Sequence, residues 1–85
     1  MRTYKYEVTV SAAQAFTQNQ ACDFVTLIAR ASNSGIIYVG GDIEQEIDLR
    51  AGDSVDLKQT GLTHIYAYGT VAGDVLVGIP QRYTA

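Results

Sequence analysis

Several things are scarce in this chain, and each scarcity removes a class of answer. Cys22 is the only cysteine among 85 residues, so no intrachain disulfide framework can staple the fold. His64 is the only histidine, and one histidine without a partner motif builds neither a metal cluster nor a catalytic triad. Tryptophan is absent, which weakens any reading built on stacking a sugar against an indole. The net charge is −3 with acids and bases scattered, and there is no basic run to act as a nucleic-acid footprint. No apolar run approaches the roughly 20 residues that span a bilayer. Residues 1–6 lack the apolar core of a signal peptide, so the chain is expected to begin in the host cytoplasm, with which a lone cysteine is consistent.

What is present is apolar and aromatic. Hydrophobic residues make up 47% of the chain and six residues are tyrosine. A chain of this length buries only about 60–65% of the surface its unfolded form exposes. Generous apolar content without staples therefore predicts that burial is completed against other chains, in an oligomer or on a larger assembly.

Periodicity then gives the fold class. Residues 3–10 alternate, with Tyr4, Tyr6, Val8 and Val10 on one face and Lys5, Glu7 and Thr9 on the other. Residues 11–21 read as an irregular or extended connection; a capping box at Ser11 is conceivable, but Phe16 alone gives a helix almost no face to bury. Residues 24–31 carry apolar groups on both faces, the mark of a central strand. Ser32-Asn33-Ser34-Gly35 is a turn that returns the chain into Ile36-Ile37-Tyr38-Val39, so residues 24–42 read as two strands joined tightly. Residues 44–50 place Glu46, Asp48 and Arg50 on one face, as an edge strand does. Residues 54–58 are a further strand, 59–63 a short polar link, 64–68 a strand with Tyr66 and Tyr68 on one face, and 75–79 a last strand ended by Pro80. The expectation is an all-β single domain over residues 1–85: a small antiparallel β-sandwich or jelly-roll-like barrel of about seven strands. Its parts would be an N-terminal strand and connection over 1–23, a core over 24–79 and a tail over 80–85. Ala-Gly-Asp occurs at Ala51 and again at Ala72, which reads as one turn type used twice.

No constellation carries chemistry. Asp42, Glu44, Asp53, Asp56 and Asp74 sit at or near turns but match no calcium signature, and turn formation accounts for them. Gly40-Gly41 and the Gly69 to Gly73 loop lack the lysine and helix of a phosphate loop. Cys22 reads as a buried structural thiol and His64 as a surface or edge residue. No catalytic, cofactor-binding or metal residue is assigned, and the chain reads as a non-enzyme with no cofactor. The tyrosines are the notable group: Tyr4, Tyr6, Tyr66, Tyr68 and Tyr83 are candidates for a protein interface, since a tyrosine ring buries area while its hydroxyl stays paired.

Three segments also resemble a known group. They are residues 27–41 (with Asn33-Ser34-Gly35-Ile36-Ile37-Tyr38-Val39-Gly40), residues 48–57 (with Leu49-Arg50-Ala51-Gly52-Asp53-Ser54-Val55) and residues 65–75 (with Tyr66-Ala67-Tyr68-Gly69-Thr70-Val71-Ala72-Gly73-Asp74). Together they resemble small β-sandwich structural proteins of tailed bacteriophages, most of all capsid decoration (cement) proteins; the Val71-Ala72 turn is one residue longer than the pattern. The resemblance implies a virion protein on the phage head surface that stabilises the head by contacts with the major capsid protein. It also implies a homo-oligomer, dimer or trimer, without nucleic-acid or membrane partners. The alternatives it leaves are a tail, neck or fibre component, and, outside the virion, a small carbohydrate-binding β domain.

Overall fold

The computed structural model describes residues 3–10, 12–17, 21–41 and 44–82. Its strands are β1 (Tyr4–Glu7), β2 (Gln14–Ala15), β3 (Phe24–Ala29), β4 (Ile37–Gly40), β5 (Ile47–Leu49), β6 (Ser54–Leu57), β7 (Tyr66–Gly69) and β8 (Val75–Gln81). They form two four-stranded antiparallel sheets in the orders β1-β8-β3-β6 and β2-β7-β4-β5. Hereafter these are the first and second sheets. The pairs β1–β8, β2–β7, β3–β6 and β4–β5 are nested, as if one long hairpin had been rolled up. That is the strand order of a jelly roll, a β-sandwich of eight strands. The strand missed by periodicity is β2, whose two residues are too few to show an alternation.

Alternation decides what lies between the sheets. Val25, Leu27 and Ala29 of β3, Ile37 and Val39 of β4, Ala67 of β7 and Leu76 of β8 are all fully buried. Val8, Phe16 and Cys22 join them from the N-terminal part of the chain. Leu62, in a single 3-10 turn over Leu62–His64, is also fully buried, so the segment expected to be a polar link contributes a core plug. Phe16 and Leu62 lie against Gly78, where an added Cβ would stand 3.0 Å from the phenylalanine ring. The missing side chain on β8 makes room for the two large ones.

Residues 24–42 do not form the expected hairpin. β3 pairs with β6 and β8, whereas β4 pairs with β5 and β7. The Ser-Asn-Ser-Gly segment is a corner that carries the chain from the first sheet to the second. The reason is in its hydrogen bonds. Asn33 Nδ2 donates to Val75 O at 2.9 Å, and Val75 N–H donates to Asn33 Oδ1 at 2.8 Å, so the side chain copies a ladder rung. The Asp74 carboxylate, 7% exposed, accepts from Ser34 N–H at 3.1 Å and from Gly35 N–H at 2.8 Å. Ile36 N–H donates to Thr70 Oγ1 at 2.9 Å. A Cβ on Gly35 would run into Thr70 and Val71.

The repeated Ala-Gly-Asp is one device used twice. Gly52 and Gly73 have φ of 86° and 89°, and the following aspartate N–H donates back to Arg50 O and Val71 O respectively. Glycine adopts that φ without the steric cost another residue meets. In both places two residues oppose one: Ala29 exchanges backbone hydrogen bonds with Gly52 and Asp53, and Val8 with Gly73 and Asp74. This is a glycine β-bulge, which bends the strand as the sheet curls. Pro80 does not end the last strand as expected, because β8 continues to Gln81. Arg30 N–H donates to Val75 O, so the odd-numbered residues of β8 exchange bonds with β3. The nitrogen of Pro80 therefore points the other way, past the end of β1, which begins opposite Gly78.

The two bulge aspartates are not equivalent. Asp74 is buried and holds two backbone donors, while Asp53 is exposed and holds the N–H of Arg50 alone. Asp74→Ala is expected to cost about 1–3 kcal/mol, since it removes a buried acceptor from two backbone donors, the partly buried Gly35 N–H and the more exposed Ser34 N–H. Asp53→Ala should cost under about 1 kcal/mol. Urea denaturation of the two variants checks this, and equal losses would refute it.

Candidate protein interface

The five candidate tyrosines divide in the structure. Tyr4 and Tyr6 lie on the face of β1 that carries buried Val8, and both are half-buried against the core. The Tyr6 ring sits 5.0 Å from that of Phe16, tilted by 39°. Its hydroxyl donates to Gln14 O at 2.7 Å and lies 3.2 Å from Ala67 O. Tyr6 thus ties β1 of the first sheet to β2 and β7 of the second. Tyr66 and Tyr68 point the other way: their neighbours in β7, Ala67 and Gly69, are buried, so both rings stand on the outer face of the second sheet. Tyr83 lies outside the described residues.

Tyr38 joins the outer pair and was not among the candidates. It lies directly across from Tyr68 in the β4–β7 ladder, and the two rings stack at 5.1 Å with 25° between their planes. The signal for it was the alternation of Ile37, Tyr38 and Val39, which sends the tyrosine outward once its neighbours face the core. Asp48 of edge strand β5 sits across from Tyr38 on the same face and pairs with Arg50 at 3.0 Å. The result is an aromatic strip, Tyr38, Tyr66 and Tyr68, with a charged border. At its Tyr66 end lies a shallow cleft of about 270 Å³ lined by Gly41, Gln59, Thr63, His64 and Tyr66. His64 is exposed there, with Nδ1 3.4 Å from Thr60 Oγ1.

The outer face of the first sheet is aliphatic. Ile28, Val77 and Ile79 are half-buried and adjacent, and Lys5 and Glu7 border them on β1. On the opposite border, Asp56 of β6 accepts a hydrogen bond from Thr26 Oγ1 at 2.6 Å. The carboxylates weighed for calcium do not gather: among the described residues no group of three or more histidine, cysteine, aspartate or glutamate side chains could hold a metal ion. Asp42 lies outside the described residues. Cys22 is buried and its thiol donates to Gln59 O at 3.2 Å. Burial pushes that thiol up from its ordinary range, with the charge of Arg82 pulling it partly back.

Compared with known proteins, the chain matches no family model, no curated protein and no solved structure.

Burial also pushes the Tyr6 phenol above its ordinary range. With the folded value raised, its contribution to stability is complete below about pH 10, where the unfolded phenol ionises, and is lost as pH climbs through the folded value. Stability measured between pH 9 and 11 should fall, and Tyr6→Phe should flatten that fall while lowering stability at pH 7 by about 1 kcal/mol. An unchanged alkaline slope would show that Tyr6 is not one of the groups responsible.

Proposed function

We propose that this chain is a capsid decoration protein of a tailed bacteriophage, a virion component that works by contact alone and stabilises the head by binding the major capsid protein. The observation that carries the reading is the outer strip of Tyr38, Tyr66 and Tyr68. It is set on three adjacent backbone positions of two central strands, so its geometry is fixed by the ladder rather than by a loop. Rigid tyrosines bury large area at little conformational cost and recur among the residues that dominate protein interfaces. A flat aromatic strip suits a broad protein surface repeated many times over a lattice. The resemblance of the two turn segments and the Asn-Ser-Gly corner to phage structural proteins supports the same reading. The eight-stranded sandwich is compatible with it and with many other functions.

A second reading is favoured by one feature. The cleft beside Tyr66 is lined by Gly41, Gln59, Thr63, His64 and Tyr66, a mix of polar and aromatic residues of the kind that binds a small polar ligand such as a sugar. At about 270 Å³ it falls just under the ~300 Å³ at which small-molecule pockets begin.

The test mixes the purified chain with heads lacking it and counts bound copies. Hundreds of copies per particle are expected, and Tyr38→Ser with Tyr68→Ser should weaken binding by at least about 100-fold, the loss of two aromatic anchors. The melting temperature should change little, because both rings stand outside the core. A handful of copies would move the protein to the tail, neck or fibre. Absence of particle binding together with saturable binding of a sugar, lost in Tyr66→Ala, would replace the reading with the second one.

A further inference from the structure

β1 is an edge strand, and among the described residues no other strand pairs with its outer side. Val8 N–H donates to Asp74 O, and Tyr6 and Tyr4 stand opposite Leu76 and Gly78, so the even-numbered residues of β1 exchange backbone bonds with β8. The N–H and C=O groups of Lys5 and Glu7 therefore point away from β8, and among the described residues neither has another backbone partner there. The strand has no proline or glycine in it, and its outward edge is not capped by another described strand.

We infer that β1 pairs antiparallel with β1 of a second copy about a two-fold axis through Tyr6, joining two first sheets into one eight-stranded sheet. Three observations select this edge and this register. The parity is right: pairing about Tyr6 sets Lys5 opposite Glu7 of the second copy, and both residues have their backbone groups turned outward. The charges are right as well. Both side chains are exposed, at 57% and 63%, and stand 4.0 Å apart within one chain. In this register each gains a directly opposed partner of the other sign, twice over. Centring the pair on Lys5 or on Glu7 would instead oppose like charges, and opposed like charges destabilise a ladder. Lastly, the competing edges are compromised. At β5 the equivalent pairing would need Arg50, whose N–H and C=O are both engaged with Asp53 in the turn. At β6 it would need Lys58, which lies past the end of the strand, where Gln59 N–H has turned back to Leu57 O. At β2 the strand is two residues long.

Lysine on an edge strand is a common guard against such pairing. Here Glu7 follows it at the spacing that cancels the guard in one register and leaves it active in the others. An isologous edge of this kind closes at two copies. The pairing is independent of the head-surface reading, since β1 and the tyrosine strip belong to different sheets.

The experiment follows the assembly state of the full chain by sedimentation equilibrium, with hydrogen exchange at the Lys5 and Glu7 amides. A dimer is expected, with both amides protected in it. Lys5→Glu or Glu7→Lys alone should weaken the dimer about tenfold, because two attractive pairs become repulsive. The exchanged variant, Lys5→Glu with Glu7→Lys, should recover the wild-type dissociation constant. Circular dichroism checks that each variant is folded. A monomer at every concentration up to the solubility limit would overturn the proposal, and so would a trimer, or a dimer indifferent to the single reversals. None of these outcomes depends on whether heads bind, which is read separately by copy number.

Discussion

A single buried carboxylate holds the roll closed. Asp74 sits at the start of β8 and takes the N–H groups of Ser34 and Gly35, on the corner between β3 and β4. Beside it Asn33 completes a rung with Val75, and Thr70 takes Ile36 N–H. In a sandwich of this order every connection but β4–β5 passes from one sheet to the other. A crossing segment leaves its ladder, and its backbone donors must find partners elsewhere or go unpaired. At this corner the partners come from the β7–β8 loop, itself a crossing. One cluster therefore satisfies two crossings and fixes the position of the two sheets relative to each other. In the middle of the core, by contrast, packing is ordinary: aliphatic side chains from both sheets meet, and Gly78 leaves space for Phe16 and Leu62.

The same economy explains the two Ala-Gly-Asp turns. Each sets a glycine bulge at the entry to β6 or β8, opposite the end of β3 or just past the end of β1, so the entering strand bends where the sheet must curl. The tripeptide then diverges in what its aspartate does. Asp53 closes its own turn at the surface by accepting from Arg50 N–H, while Asp74 reaches into the corner. Identical local chemistry was put to a local use once and a long-range use once. The difference lies in what faces each turn, and no tripeptide encodes it.

That contrast marks how far the sequence could be read. Strand alternation was legible wherever several residues repeated it: β3, β7 and β8 sit about where their patterns place them, and β5 is an edge as its charged face implied. Three things were not legible. β2 is too short to have a period. Leu62 lies among polar neighbours, and its burial comes from a 3-10 turn that the pattern of polar residues concealed. The corner at Asn33 looks like a hairpin turn, because Asn and Gly serve both purposes, and only partners some forty positions later in the chain decide between them. The tyrosines show the same limit. Alternation grouped Tyr4 with Tyr6 and Tyr66 with Tyr68 correctly. Only the packing of Val8 and Ala67 settles that the first pair leans inward and the second outward, and only the ladder brings Tyr38 beside Tyr68.

The distribution of apolar surface then argues about what kind of work the protein does. The inside is filled by side chains from both sheets, and each outer face still carries apolar groups: aliphatic on the first sheet, aromatic on the second. Small domains bury a modest share of their surface, so residual apolar area outside is expected of them. Its arrangement is definite, with Tyr38, Tyr66 and Tyr68 held on neighbouring positions of two paired strands. A side chain on a central strand cannot rearrange to fit a partner as a loop residue can, so such a strip suits a partner surface of fixed shape. The β1 edge is different in kind, because in the proposed pairing recognition would reside in backbone groups and a two-residue charge code. Under the two proposals, one surface would meet a rigid partner and another would meet a second copy of the chain. The two can be occupied together, since they lie on opposite sheets.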